Sequence, residues 1–326
     1  MISSISFLRL IFIFIIVVFH SGLSSSIGLP LLSGYVPVDF FFMLSGALML
    51  KSIRGNISLM DYAKKRLSKF WLEVYLITFV LLLYYLPSFL KEFSYLEIVR
   101  EWLSELFLLN CIIPDANPIG YLNSPMWFFN VMFYGGLVVF AISKINDIGI
   151  KIIIPVIVVI GYTVLFTNSS TIQQWDSYRP MLRGITDMSL GVGIGYLQEQ
   201  KRVKSLLLDI IALIGLIVSL VLMNFRTFDL IYIVLFSILL YSSLQRESLI
   251  NSTMSWQGWN YLARGVFCVY ALHSPLMTLF NRIMPQNQPK AFYLFVYLTF
   301  LICASLFYYW GCSYLRTLLR GIPKRI

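Results

Sequence analysis

Long apolar runs, separated by short polar segments, extend along nearly the whole chain. Many of these runs approach the ~20 residues that an α-helix needs to cross a lipid bilayer. The pattern therefore predicts an all-α fold, a polytopic membrane bundle of about ten transmembrane helices, in a single domain over residues 1–326. The first run lacks a small-residue cleavage site and is interpreted as a retained span. The predicted spans lie near residues 5–22, 34–51, 69–86, 125–143, 151–167, 182–198, 205–223, 228–243, 261–280 and 291–313.

Basic residues are divided unequally between the two sides of this predicted bundle. If the N-terminus is cytoplasmic, the segments on that side contain Lys51, Arg54, Lys64, Lys65, Arg66, Lys69, Lys144, Lys151, Lys201, Arg202, Lys204, Arg246, Arg316, Arg320, Lys324 and Arg325. The opposite side keeps Lys91, Arg100, Arg179, Arg183, Arg226, Arg282 and Lys290. Because cytoplasmic loops are enriched in Lys and Arg, this division predicts that both termini are cytoplasmic.

Composition excludes an ordinary soluble domain, since 59% of the residues are hydrophobic and only 12% are charged. The net charge of +10 follows from topology and from contact with anionic membrane lipids. No soluble basic domain is evident that could bind nucleic acid. The four cysteines show no CxxC pair and no metal-ligand spacing, so we expect no metal site.

Two polar residues interrupt the first apolar run. Arg9 and His20 are separated by LIFIFIIVVF, and a helix would place them on one face, about 16 Å apart along its axis. Such residues are costly within a membrane and usually face the protein interior or a water-filled path. His20 is therefore either a catalytic residue or a polar group at the interface, and Arg9 is either part of the same site or a snorkelling anchor.

Further candidates lie near the ends of other predicted spans. Asp39, at the external end of the second span, could orient the His20 imidazole or cap its own helix. The cluster around Arg66 and Lys69 could bind phosphate or act as a positive-inside anchor. We interpret His273 as a structural hydrogen-bond donor near a kink at Pro275.

Two more features are interpreted as structural. Arg183 and Asp187, four residues apart, are predicted to form an internal ion pair. The stretch LEIVREWLSELFLLN is amphipathic and predicts an external helix that lies in the membrane interface.

Five sequence elements, in this order, resemble the membrane acyltransferase type 3 family, which includes bacterial O-antigen and capsule O-acetyltransferases. Arg9 and His20 resemble its Arg-x10-His motif. The other four elements are GYVPVDFFFMLSGALM (34–49), YAKKRLSKFW (62–71), MWFFNVMFY (126–134) and VFCVYALHSPLM (266–277). Pro37 stands where the family usually has Gly, and Lys69 replaces the second Arg of an Arg-x-x-Arg pair. A Glu found in another branch is absent, and Asn130 cannot perform acid–base chemistry in its place.

The resemblance implies transfer of an acetyl group from cytoplasmic acetyl-CoA to a hydroxyl of a surface or lipid-linked polysaccharide, in the inner membrane of a bacterium. It implies that His20 is the general base, with a covalent acyl-imidazole as the alternative. The phosphates of acetyl-CoA would contact Arg9, Arg66, Lys69 and Arg264. Trp127 and Asn130 could line the site of the sugar, although Trp127 could equally be an interfacial anchor.

A carrier is the rival class, either a flippase or transporter of a lipid-linked glycan. Transporters tend to have duplicated halves and paired broken helices at the midplane of the membrane. Neither feature is evident in the sequence. The polar residues within the predicted spans instead concentrate in the first two helices, which favours an enzyme.

Overall fold

A computed structural model describes residues 2–55, 57–112, 122–175, 178–200, 205–225, 228–245, 247–284 and 289–320. Over these residues the secondary structure is helical, with no β-strand. The helices are α1 (Ser3–His20), α2 (Pro37–Arg54), α3 (Leu59–Leu67), α4 (Trp71–Glu92), α5 (Tyr95–Leu106), α6 (Met126–Ser143), α7 (Asn146–Ile148), α8 (Ile154–Phe166), α9 (Arg179–Gln200), α10 (Leu206–Leu222), α11 (Leu230–Leu244), α12 (Leu249–Thr253), α13 (Gly258–Leu262), α14 (Val266–Ile283) and α15 (Lys290–Arg320). A π-helical turn, Gly149–Ile153, leads into α8.

The all-helical class predicted from the sequence is confirmed, and each predicted span falls on a helix. Among the described residues, six helical segments are long and apolar enough to cross a membrane: Ser3–His20, Trp71–Lys91, Met126–Ser143, Gly149–Phe166, Gly258–Ile283 and Lys290–Leu318. Helices α10 and α11 are apolar but shorter, whereas α2 and α9 carry several charged residues. The total of ten spans and the cytoplasmic termini therefore stay predictions. Several residues used to orient the chain lie outside the described residues: Lys201, Arg202, Lys204, Arg226, Arg246, Lys324 and Arg325.

Helices α2 and α9 pack backbone against backbone at the centre of the bundle. A Cβ atom at Gly46 would lie 1.9 Å from the Met188 carbonyl oxygen, and one at Gly191 would lie 1.9 Å from the Met43 carbonyl oxygen. Only glycine fits at either position, because any side chain would overlap the facing helix. Small residues allow membrane helices to approach this closely, which increases their van der Waals contact.

Helix α1 is held in the bundle by its serines as well as by its apolar residues. The Ser6 hydroxyl donates to the Asn260 side chain at 2.7 Å, and Ser4 donates to Asn251. These bonds fix the start of α1 against α12 and α13. The other end of α1, at His20, lies beside α14.

Helix α14 contains Pro275, which leaves the carbonyl oxygen of Ala271 without its usual helical donor. The Asn123 amide fills this vacancy by donating to that oxygen at 2.9 Å. Asn123 is in turn held by the buried Glu105, whose side chain accepts from the backbone N–H groups of Leu122 and Asn123. The segment before α6 is thereby fixed to the part of α14 that precedes Pro275.

The predicted amphipathic helix is present as α5, which begins with a capping box formed by Ser94 and Glu97. Its placement on the external side stays a prediction. Leu96 and Val99 are exposed, whereas Glu105 is buried. The apolar face of α5 thus points away from the protein, as expected of a helix that lies in a membrane interface.

Candidate functional site

A cavity of about 400 Å³ opens among the N-terminal half of α1 and helices α2, α3, α6 and α14. We name it the basic pocket, because five cationic side chains line its wall. None of the described residues that line it is Asp or Glu. The cationic residues of the wall are Arg9, Lys65, Arg66, Lys69 and Arg264.

Arg66 is the structural centre of this basic wall. Its Nε donates to the Met132 carbonyl oxygen at 2.9 Å, and its Nη atoms donate to the Tyr62 and Ser45 hydroxyls at 2.8 and 2.5 Å. The side chain passes over Gly136, where a Cβ would lie 3.1 Å from Nε. These bonds attach α3 to α2 and α6, so that Arg66 shapes the pocket as well as lining it.

Lys69 follows α3 and is exposed at the pocket wall. Surrounding protein atoms desolvate its ammonium and lower its pKa, and the positive charges of Arg66, Lys65 and Arg9 lower it further. The cluster therefore repels itself when the pocket contains no anion. A multiply charged anion would relieve that repulsion.

The interior of the basic pocket is apolar and aromatic. Ile13 of α1, Phe41 of α2 and Phe128 of α6 contribute to its wall. Tyr270 of α14 also lines it, and its ring centroid lies 4.9 Å from that of Phe128. A ligand that fits this cavity would combine an anionic part near the cations with a slender apolar part.

The only two histidines of the chain lie together in the structure. We call His20 and His273 the histidine pair; their ring centroids are 5.1 Å apart. His20 Nδ1 lies 2.8 Å from the Ile16 carbonyl oxygen, and His273 Nδ1 lies 2.6 Å from that of Tyr270. Since a carbonyl oxygen only accepts hydrogen bonds, both Nδ1 atoms carry the proton. Each neutral ring consequently has an Nε2 lone pair, which can accept a proton.

The histidine pair continues the two helix faces that line the basic pocket. On α1 the residues that line the pocket are Ile5, Arg9 and Ile13. On α14 the last residue that lines it is Tyr270. A helical spacing of three or four residues carries these faces on towards His20 and His273. The Tyr270 and His273 ring centroids are 5.5 Å apart, so the pair begins where the pocket ends. His20 is exposed, whereas His273 is buried.

The structure corrects two predictions about the carboxylates near His20. Asp39 does not orient the imidazole; the Ile16 carbonyl does. Both oxygens of Asp39 accept from Arg183, at 2.6 and 3.0 Å, and both side chains are fully buried. Arg183 is therefore paired with Asp39 rather than with Asp187, whose oxygen accepts from the Tyr162 hydroxyl at 2.7 Å. Spacing along one helix favoured Asp187, but the bidentate geometry of a guanidinium and a carboxylate favours the facing helix.

Trp127 and Asn130 lie on α6 but do not line the basic pocket. The Trp127 ring packs against Phe42, and the guanidinium of Arg183 lies 5.5 Å from its centroid. Asn130 is completely buried beside the Cys111 thiol. Its amide therefore has no exposed surface with which to contact a sugar, and Trp127 is a packing residue rather than an interfacial anchor.

Three residues lie at the site although the sequence pattern indicated no separate role for them there. Lys65 and Tyr270 line the basic pocket, and His273 lies beside His20. His273 does donate to a carbonyl of its own helix, as predicted, but the carbonyl that Pro275 frees is filled by Asn123. The available signal was the three-residue spacing of Tyr270 and His273, which places both side chains on one face of α14. This spacing indicates a site only in combination with the packing of α14 beside α1.

Comparisons with known proteins bear on the family of the chain, and the metal-ligating residues bear on its chemistry. Among the described residues, no group of three or more His, Cys, Asp or Glu side chains is placed to hold a metal ion. Searches of the curated proteins and of the solved structures found no match to this chain. The family model described as an acyltransferase domain matches residues 2–310, which is nearly the whole chain. The chain therefore belongs to the membrane acyltransferase type 3 family.

Proposed function

We propose that this acyltransferase moves an acetyl group from cytoplasmic acetyl-CoA to a hydroxyl of a surface or lipid-linked polysaccharide. It works in the inner membrane of a bacterium, with both termini in the cytoplasm. The observation that carries the proposal is the basic pocket, whose described lining includes five cations and no Asp or Glu, and whose apolar interior ends at the histidine pair. The anionic head of CoA and its slender pantetheine arm fit these two parts in that order.

The cations of the pocket wall have separate roles in this proposal. Lys65, Lys69 and Arg264 are exposed and bind the phosphates of CoA. Arg66 contributes its positive charge while holding α3 in place. Arg9 lies deeper, with its guanidinium 5.8 Å from the Phe267 ring centroid, and contacts the donor where the pocket becomes apolar.

His20 is the general base. Its Nδ1–H is held by the Ile16 carbonyl, so Nε2 is the atom that takes the proton of the attacking hydroxyl. The hydroxyl oxygen attacks the thioester carbonyl carbon, a C–O bond forms, and the C–S bond breaks. The thiolate leaves with the electron pair and recovers the proton from His20. The exposed end of α1 leaves His20 accessible to the acyl acceptor.

The direct test is transfer of labelled acetyl from acetyl-CoA to glycan by the purified protein in lipid vesicles. The informative variant is His20→Asn, because its amide can still donate to the Ile16 carbonyl but cannot act as a base. We expect the turnover rate to fall about 10²- to 10⁴-fold, the usual contribution of a general base. The KM for acetyl-CoA should change little, because His20 is not part of the basic pocket.

Half-buried Ser21, the next residue of the chain, provides the matched control through Ser21→Ala. More than about a tenth of the activity in His20→Asn would overturn the general-base role. Movement of unmodified lipid-linked glycan across the vesicle membrane, with no labelled product, would instead identify a flippase.

A further inference from the structure

His273 has a hydrogen-bonding capacity that its structural bond does not use. Its Nδ1 donates to the Tyr270 carbonyl, whereas its Nε2 is buried and has no hydrogen-bond partner among the described residues. A buried polar atom without a partner is destabilising, and such atoms are uncommon in folded proteins. The unused Nε2 lone pair therefore indicates a partner that is present only in another state of the protein.

The nearest candidate for that partner is His20. A distance of 5.1 Å between the ring centroids allows facing nitrogens to come within hydrogen-bond distance. Two neutral rings that both carry the proton on Nδ1 present only lone pairs at Nε2, so they cannot bond to each other there. Once His20 takes a proton at Nε2, it becomes a donor, and His273 Nε2 becomes its natural acceptor.

Within the part of the chain that the structure describes, the contacts of the pair include no carboxylate that could stabilise a positive charge. Phe19 of α1 and Tyr270 of α14 pack against the two rings, and the Tyr297 hydroxyl of α15 donates to the His273 carbonyl oxygen. The buried ion pair Asp39–Arg183 lies beyond Phe19 and Tyr35 and is internally neutral. An imidazolium at this site therefore depends on hydrogen bonds rather than on a nearby carboxylate.

We propose that His273 is a positioning residue for His20, whose imidazolium donates a hydrogen bond to His273 Nε2 during acyl transfer. The proposal rests on the proposed function. The hydroxyl proton of the acyl acceptor moves to His20 Nε2, the C–O bond forms and the C–S bond breaks. The CoA thiolate then takes the proton from His20. His273 gains and loses no proton in this sequence; it accepts one hydrogen bond while the charge exists.

Two substitutions separate this role from a purely structural one. His273→Asn can keep the donor to the Tyr270 carbonyl but has no atom at the position of Nε2. His273→Gln loses that donor geometry but places an amide oxygen, a hydrogen-bond acceptor, near Nε2. We expect His273→Asn to lower kcat about 10- to 100-fold, the effect of losing one hydrogen bond to a charged group, with an unchanged KM for acetyl-CoA. His273→Gln should recover most of the activity, whereas a structural role predicts the opposite ranking.

A second measurement does not depend on catalysis. Because the chain has only two histidines, protein labelled with isotopic histidine gives two sets of imidazole NMR signals, and single variants assign them. We expect both rings to show the Nδ1–H tautomer. The pH titration of His20 should shift in His273→Asn and return towards that of the wild type in His273→Gln.

The kinetic measurement and the NMR titration distinguish failure of the histidine pair from failure of the proposed function. An unchanged His20 titration in folded His273→Asn would overturn the pair, even in an active enzyme. Absence of acyl transfer by the wild-type protein would overturn the proposed function, while the titration would still decide whether the two histidines interact. Equal activity of folded His273→Asn and wild type would also overturn the positioning role.

Discussion

Helix α2 carries two charged regions that are built in opposite ways. Near its N-terminus, Asp39 forms a buried bidentate pair with Arg183. Along its C-terminal half, Ser45 and Ser52 face the basic pocket, whose cations have no acid among the described lining residues. One region is a buried pair of opposite charges, whereas the other is positively charged and open.

The difference indicates that the buried pair stabilises the fold, whereas the basic pocket is the region suited to binding a ligand. A buried ion pair with both partners satisfied has no capacity left for a ligand, and removal of one partner leaves an isolated buried charge. A cluster of like charges around a cavity is unfavourable when empty and becomes favourable when an anion binds. The two regions should therefore respond differently to substitution, to salt and to pH.

The largest effect is expected at the buried ion pair. Arg183→Gln leaves Asp39 without its partner and should reduce the free energy of unfolding by about 3–5 kcal/mol, or prevent accumulation of folded protein. The double variant Asp39→Asn, Arg183→Gln should recover part of this loss, because no buried charge of the pair remains. Thermal unfolding in lipid vesicles or nanodiscs measures both.

The control for the ion pair is Arg54→Gln, which removes an exposed pair with Glu199 at 3.4 Å. Its effect should stay within about 1 kcal/mol. If Arg183→Gln left stability intact but abolished acyl transfer, the buried pair would belong to the reaction site, and the contrast between the two regions would fail.

A smaller effect, on binding rather than on folding, is expected at the basic pocket. The triple variant Lys65→Gln, Lys69→Gln, Arg264→Gln should raise the KM for acetyl-CoA about tenfold or more, with kcat nearly unchanged, because contacts to a remote phosphate contribute uniform binding. Stability should not fall, since like charges are removed. Steady-state kinetics and thermal unfolding of the same preparation check both parts.

Lys64→Gln is the matched control, because Lys64 lies on α3 but not in the pocket wall. Salt sharpens the comparison, since exposed charges are screened and buried pairs much less so. Acetyl-CoA binding by the wild type should weaken with ionic strength, and that of the triple variant should respond less. Unchanged affinity in the triple variant would mean that these residues only anchor the protein to the membrane surface.

The smallest effect concerns the proton of Lys69. Its pKa is lowered from 10.5, first by desolvation of the ammonium by surrounding protein atoms and then by the charges of Arg66, Lys65 and Arg9. As pH rises, Lys69 therefore loses its proton before an ordinary lysine does, and acetyl-CoA binding should weaken in that window. In the same window the unliganded protein should become more stable, because the unfolded chain binds the proton that the folded chain has lost.

Lys69→Arg tests this dependence, because arginine stays charged throughout the accessible pH range. Calorimetric titrations in buffers of different ionisation enthalpy should detect proton uptake on binding to the wild type at alkaline pH, and less uptake in the variant. Equal uptake in both proteins would show that another group titrates.

Local sequence features were sufficient for much of the fold. Apolar runs of near-membrane length predicted every long helix, because helix formation in lipid depends on satisfying backbone hydrogen bonds within one segment. The motif around Arg66 and Lys69 also placed basic residues where the pocket wall is found. The partner of Arg183 could not be predicted, because its distance to Asp39 across two helices is not encoded in spacing along α9.

The amino-acid sequence alone predicts the helical class, the helix positions, and the basic and histidine side chains. Which of these side chains meet depends on how the helices pack. His20 and His273 are 253 positions apart by residue number, yet their rings lie 5.1 Å apart because α1 and α14 pack side by side. Asp39 joined the scaffold because Arg183 reached it from α9. Packing between distant helices depends on the shapes and polar partners of both surfaces, and no single segment contains that information.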